Sequence, residues 1–205
     1  MSRICYIFAA GQWDGSGVSP VKGDYVIAAD AGYLHLKQLG IKPDLIVGDM
    51  DSLDEAPAGV QITKYPSVKD DTDTLLAVKI GLDKGYKEFR IFAGTGGRLD
   101  HTIANLQVLQ YISRRGGQGY LVSNKQVITA ITNDTMRFPK NCYDTVSIFS
   151  LGETAEGVSI SGMEYSLRNA QMDPYYPIGV SNKLVGKSAT VSVKRGTLVI
   201  IWTRQ

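Results

Sequence analysis

Histidine and cysteine are nearly missing from this chain of 205 residues, with two of each. So few imidazoles and thiols exclude a zinc centre of the structural type, and a disulfide framework has no basis. Cys5 lies in the apolar run Ile4-Cys5-Tyr6-Ile7-Phe8, where a thiol behaves as a small hydrophobe. Cys142 has quite different surroundings, so a reducing compartment, the cytoplasm, is expected. An excess of charge is missing too. Lys and Arg number 22 and Asp and Glu 20, for a formal net charge of +2, which implies no general affinity for nucleic acid or an anionic membrane. No apolar stretch is long enough to cross a bilayer. The first one ends at Gly11-Gln12-Trp13-Asp14, too early for a signal peptide, and is expected to be a first strand. Internal repeats, low-complexity tracts and flexible linkers are also lacking.

What remains is ordinary globular material, 43% hydrophobic and 20% charged, enough to bury a sizeable core. Two textures follow one another. Up to residue 123, strand-like runs alternate with helical patterns, which predicts an α/β domain built on a parallel sheet. Strands are expected at Ile4–Ala9, Tyr25–Ala29, Asp44–Val47, Gln61–Lys64, Phe89–Ala93 and Gly119–Val122. Helices are expected at Tyr33–Leu39, closed by Gly40, at Thr72–Lys84, stopped by Gly85, and at Asp100–Arg115, followed by Gly116-Gly117. From 124 to 205 short β-branched and aromatic runs alternate with Gly, Asn, Asp and Pro, so an all-β domain is expected, a sandwich or small barrel. Its strands are expected at Val127–Ile131, Thr145–Phe149, Val158–Ile160, Ala189–Val193 and Leu198–Trp202, the last two joined as a hairpin through Lys194-Arg195-Gly196-Thr197.

The acids of the first half are unevenly placed. Asp30 follows one expected strand, Asp49 and Asp51 another, Asp70, Asp71 and Asp73 a third, and Asp100 a fourth. In an open parallel sheet these are the carboxyl ends of strands, the edge where ligands bind. Carboxylates gathered there must protonate or share a cation. An oxygen-only donor set suits Mg²⁺ or Ca²⁺, and Mg²⁺ takes a few carboxylates together with substrate phosphates. Asp is also a common cap and turn residue; Asp71 as a helix cap and Asp44 as a turn residue are the plainer expectations. Gly94-Thr95-Gly96-Gly97-Arg98 is a Gly-rich turn between a strand and a helix, where amides and a guanidinium can hold phosphate oxygens. It matches neither the Walker A pattern nor the full dinucleotide fingerprint. His35 and His101 are expected on helices, in surface or packing roles.

At these residues the sequence resembles the thiamine pyrophosphokinase family. The likeness runs through Ala29-Asp30-Ala31-Gly32, the segment Pro43 to Ser52, Tyr65-Pro66 with Asp70-Asp71-Thr72-Asp73, and Gly94 to His101. It is thinner in the second half, at Gly162-Met163-Glu164-Tyr165 and Gly179-Val180-Ser181-Asn182. The resemblance implies a Rossmann-like kinase domain followed by a small β-sandwich, a homodimer with thiamine at its interface, and pyrophosphoryl transfer from ATP to thiamine with Mg²⁺, releasing AMP. It assigns the metal to Asp49, Asp51 and Asp73. Nucleotide binding goes to Asp30, Asp49, Gly94, Thr95, Gly96, Gly97 and Arg98, catalysis to Asp73, Arg98 and Asp100, and thiamine contact to Tyr165, Ser181 and Asn182. Asp100 is the candidate base. The alternatives are a pyrophosphokinase for another hydroxymethyl heterocycle such as a pterin, a non-catalytic nucleotide-binding regulator, and a metal-dependent phosphohydrolase.

Overall fold

Both faces of the central strands are apolar, and each face finds a different cover. The computed structural model describes residues 3–15, 17–49, 58–65, 70–139, 145–185 and 188–203. The first half runs β1 (Ile4–Phe8), β2 (Tyr25–Ala29), α1 (Gly32–Leu39), β3 (Leu45–Gly48), β4 (Gln61–Lys64), α2 (Asp73–Asp83), β5 (Glu88–Phe92), α3 (Leu99–Ser113) and β6 (Gln118–Val122). The second runs β7 (Gln126–Thr132), β8 (Thr135–Pro139), β9 (Val146–Ser150), β10 (Ala155–Ser161), β11 (Leu167–Met172), β12 (Ser188–Ser192) and β13 (Thr197–Thr203). Among the described residues these strands make a mixed nine-stranded sheet, in the order β4-β3-β2-β1-β5-β6-β7-β13-β9, and a four-stranded sheet, β11-β10-β12-β8.

The strands from β4 to β6 are parallel. Alternation along them sends Cys5, Ile7, Ile27, Val47, Phe89 and Ile91 to one face, against Ala77 and Val78 of α2 and Leu109 and Ile112 of α3. Tyr6, Phe8, Val26, Ala28 and Phe92 point the other way, onto Leu36 of α1. Full burial of a side chain such as Phe8 or Phe89 stabilises by about 2–3 kcal/mol, so this two-sided packing holds the sheet edge rigid. Burial also pushes the Cys5 thiol well above its ordinary range, which leaves it inert. Cys142 lies outside the described residues.

Past residue 123 the sheet continues without a break, because β7 pairs antiparallel with β6. Beyond that point one face stays under α3, through Ile128, Ala130 and Val199. The other face carries Val127, Ile131, Leu198, Ile200 and Trp202, which pack against Phe138, Val158, Ile160 and Val191 of the four-stranded sheet. The second half thus supplies β7, β13 and β9 to the end of the large sheet and lays the small sheet over them. The hairpin expected around Lys194–Thr197 does not form. β12 pairs with β10 and β8 while β13 pairs with β7 and β9, so this segment is a corner between sheets. Gly196 makes the corner with φ +105, and a Cβ there would lie 3.0 Å from the Ala155 Cα.

Helix α2 is capped by Thr72 rather than by Asp71: the Thr72 hydroxyl accepts a hydrogen bond from the Leu75 amide at 3.2 Å. Asp71 instead pairs with Lys79 at 2.5 Å. Thr72→Ala is expected to lower unfolding stability by about 1 kcal/mol, read as a shift in urea midpoint at unchanged slope. An unchanged midpoint would show that the cap carries no stability. Asp44 does serve its turn, accepting the Val26 amide at 2.8 Å. No helix among the described residues is long and apolar enough to cross a membrane.

Candidate active site

At the carboxyl ends of β1, β2 and β5 the chain turns away sharply three times and leaves a cleft of about 520 Å³. That is room for a nucleotide. Asp30 and Ala93 leave β2 and β5 with φ of 51 and 52, a left-handed conformation costing a non-glycine residue on the order of 1 kcal/mol. Strain of this kind persists where surrounding structure enforces it, commonly at functional sites. Here the Asp30 amide is fixed to the Val47 carbonyl at 2.7 Å, and the Gly11 amide to the Ala93 carbonyl at 3.0 Å. The His35 Nε2 donates to the Gly11 carbonyl at 2.9 Å, the packing role expected of it.

One wall of the cleft is acidic. Asp30 contributes from the end of β2, and Asp71, Thr72, Asp73 and Thr74 from the start of α2, where the helix dipole favours an anion. Opposite lie Gly94, Thr95, Gly97 and Arg98. Asp49 follows β3, and Gly48 before it rests with its missing side chain directed 3.2 Å from the Asp30 Cα. Gly96 sits between lining residues in the chain but, like Asp49, does not line the cleft. Asp51 lies outside the described residues. Among the described residues no group of three or more His, Cys, Asp and Glu is assembled for a metal. Three carboxylates line the cleft, Asp30, Asp71 and Asp73; Asp71 pairs with Lys79, and one or two such carboxylates are what Mg²⁺ usually takes beside substrate phosphates.

Arg98 and Asp100 form a fork, Nε to Oδ1 at 3.2 Å and Nη2 to Oδ2 at 2.6 Å. The hydrogen bond from Arg98, helped by the His101 amide at 3.0 Å, holds the Asp100 carboxyl below its ordinary range. Asp100 also falls outside the cleft lining. A carboxylate held ionised by a guanidinium is a weak proton acceptor, so Asp100 suits the role of partner to Arg98 better than that of base. Both side chains are exposed, and water screens their attraction, so phosphate oxygens can take over the guanidinium.

Sequence reasoning missed Asn105. It is buried in α3, lines the cleft, and its Nδ2 donates to the Gly94 carbonyl at 2.8 Å, fixing the Gly-rich turn. Its signal was a lone amide inside the apolar stretch Ile103-Ala104-Asn105-Leu106. Gln12 and Thr102 also line the cleft and had no such signal.

The remaining expected residues gather elsewhere. Tyr165, Ser181 and Asn182 do not line this cleft. Tyr165 is 65% exposed, whereas Asn182 is buried and bonded to the Tyr165 backbone. Ser181 is exposed, with φ 58, and its amide is held by the Ser147 hydroxyl at 3.0 Å.

Residues 21–120 match the model of the thiamin pyrophosphokinase catalytic domain, and residues 133–198 that of the thiamin pyrophosphokinase vitamin B1 binding domain. The chain belongs to the thiamine pyrophosphokinase family. A thiamine pyrophosphokinase of Bacillus subtilis is 29% identical over 189 residues, 85% of each chain. In fold, the crystal structure of the Bacillus subtilis enzyme superimposes with a TM-score of 0.86, covering 99% of this chain and 100% of that one at 24% identity. A thiamin pyrophosphokinase family protein from Enterococcus faecalis does so with a TM-score of 0.82 at 27% identity, over 100% of both chains.

Proposed function

We propose that the chain takes Mg-ATP into the cleft between Asp30, Asp73 and the Gly-rich turn, and transfers its β,γ-pyrophosphoryl group to the hydroxyl of thiamine. The observation that carries this reading is the cleft itself: carboxylates on one wall and a glycine turn with Arg98 on the other, in a chain of this family. On this reading residues 1–123 form a Rossmann-like kinase domain and residues 124–205 the thiamine-binding domain. Two copies would associate in the cytoplasm with thiamine at their interface. The exposed side chains Tyr165, Tyr175, Tyr176, Ile178, Val180 and Val185, all in the second half, support such a surface.

The thiamine hydroxyl oxygen attacks the β-phosphorus of ATP, the bond from that phosphorus to the oxygen shared with the α-phosphate breaks, and AMP leaves while the hydroxyl proton passes to solvent. Such a transfer demands positioning and neutralisation of spread charge. Asp73, with Asp49 and Asp51 as the resemblance implies, would hold Mg²⁺, which would supply that neutralisation when bound. The amides of Gly94–Gly97 and the Arg98 guanidinium orient the phosphates. Asp30 completes the acidic wall, and Tyr165 and Ser181 meet the acceptor.

The test is AMP release from Mg-ATP with thiamine and with a hydroxymethyl pterin offered in parallel. AMP formed with thiamine alone is the expected result. Release with the pterin alone, or ATP loss without any acceptor, would replace this reading. Ser181→Ala is expected to raise the thiamine KM about fivefold and leave the ATP KM alone, as loss of one hydrogen bond implies. A changed ATP KM with an unchanged thiamine KM would remove Ser181 from the acceptor site.

A further inference from the structure

One side-chain amide in the second half does the work of a neighbouring strand. The Asn182 Oδ1 accepts the Tyr165 amide at 2.9 Å, and its Nδ2 donates to the Tyr165 carbonyl at 2.7 Å, so both backbone polar groups of Tyr165 are taken by one residue. The same Oδ1 accepts the Lys183 amide at 3.0 Å. Asn182 is only 4% exposed, and an amide so buried is expected to be fully bonded. Its own backbone is locked in turn. The Val146 amide donates to the Asn182 carbonyl at 2.8 Å and the Asn182 amide to the Val146 carbonyl at 2.9 Å, which fastens Asn182 to β9 at the edge of the large sheet.

Around this pair the segments 162–165 and 182–185 zip together. Glu164 donates to the Lys183 carbonyl at 2.8 Å, Val185 to the Gly162 carbonyl at 3.1 Å, and Met163, 4% exposed, anchors the turn in the core between the two sheets. Tyr165 therefore has a fixed backbone and an exposed ring. An exposed aromatic ring on a fixed backbone presents a face to a flat ring system at reduced entropic cost.

We infer that Asn182 is a positioning residue for the acceptor, acting through Tyr165 rather than by touching the ligand. This rests on the proposed function and gives Asn182 a different task from direct contact with thiamine. Its donors and acceptor are aimed at the backbone, and the side chain is sealed from solvent.

A double-mutant cycle on the full chain tests this. Asn182→Ala is expected to raise the thiamine KM about tenfold, with kcat and the ATP KM changed less than about twofold. In a Tyr165→Leu background the same substitution is expected to change the thiamine KM by less than about twofold, because the two effects share one route. Should Asn182→Ala fail to fold, Asn182→Asp carries the cycle, since it keeps the volume and the acceptor but sets an oxygen against the Tyr165 carbonyl. Additive effects would overturn the inference by giving Asn182 its own contact with the ligand. So would an unchanged thiamine KM, or a general fall in kcat and both affinities. Absence of thiamine diphosphate with the unsubstituted chain would instead sink the proposed function, a result plainly distinct from these.

Discussion

Asp73→Asn is expected to lower kcat by about 10²–10³-fold while leaving the circular dichroism spectrum and the unfolding midpoint unchanged. The carboxylate sits in the first turn of α2 and lines the cleft, where the helix dipole favours its charge and where the phosphates of a bound nucleotide must be neutralised. The amide keeps the shape and removes the charge. Thr72 keeps the cap, since its hydroxyl and not the acid accepts the Leu75 amide, so the start of α2 is retained. Turnover close to that of the unsubstituted chain would take Asp73 out of the chemistry and leave the acidic wall without its principal member.

Gly32→Ala is expected to destabilise by about 3 kcal/mol, at the upper end of what an overpacked position costs. A methyl group there would lie 1.9 Å from the Phe8 carbonyl oxygen and 3.1 Å from that of Ala9, both backbone atoms of the first strand and its exit. Neither can yield without moving the end of β1, which is hydrogen-bonded through Ala9 to the Phe92 carbonyl at 2.9 Å. The same shift would move Asp30, two residues before Gly32, so loss of activity should accompany loss of stability. Urea unfolding checks it, with the midpoint falling at unchanged slope. A stability equal to that of the unsubstituted chain would mean that helix α1 rides farther from the sheet than these distances state.

Much of this was legible in the residues because two signals agreed. Ile4–Phe8, Tyr25–Ala29 and Leu45–Gly48 are apolar on successive positions, the pattern of strands buried on both faces, and each is followed by an acid or a glycine turn at the ligand edge. That agreement places Asp30, Asp49, Asp51, Asp73, Asp100 and the Gly-rich turn at one crevice; Asp30, Asp73, Gly94 and Arg98 line the cleft, Asp49 and Asp100 do not, and Asp51 lies outside the described residues. β8 and β11 escaped notice for a physical reason. They are the two edges of the small sheet, and edge strands bury little. β11, Leu-Arg-Asn-Ala-Gln-Met, has no β-branched residue and is largely exposed, and β8 ends in Pro139. The hairpin expected between Ala189–Val193 and Leu198–Trp202 failed because local turn chemistry says nothing about which sheet each strand joins. Burial of both runs on facing sheets decided that instead. The resemblance assigns Asn182 a ligand contact, whereas in the fold its side-chain amide is turned inward onto the Tyr165 backbone, an orientation that residue type and spacing do not encode.

The account stands or falls on what moves from ATP to the acceptor. ATP radiolabelled at its γ-phosphorus, incubated with the chain, Mg²⁺ and thiamine, measures that directly. The label is expected in thiamine diphosphate, formed in equal amount with AMP and absent when Asp73→Asn replaces the unsubstituted chain. Label recovered as inorganic phosphate with ADP, or in thiamine monophosphate, would contradict it.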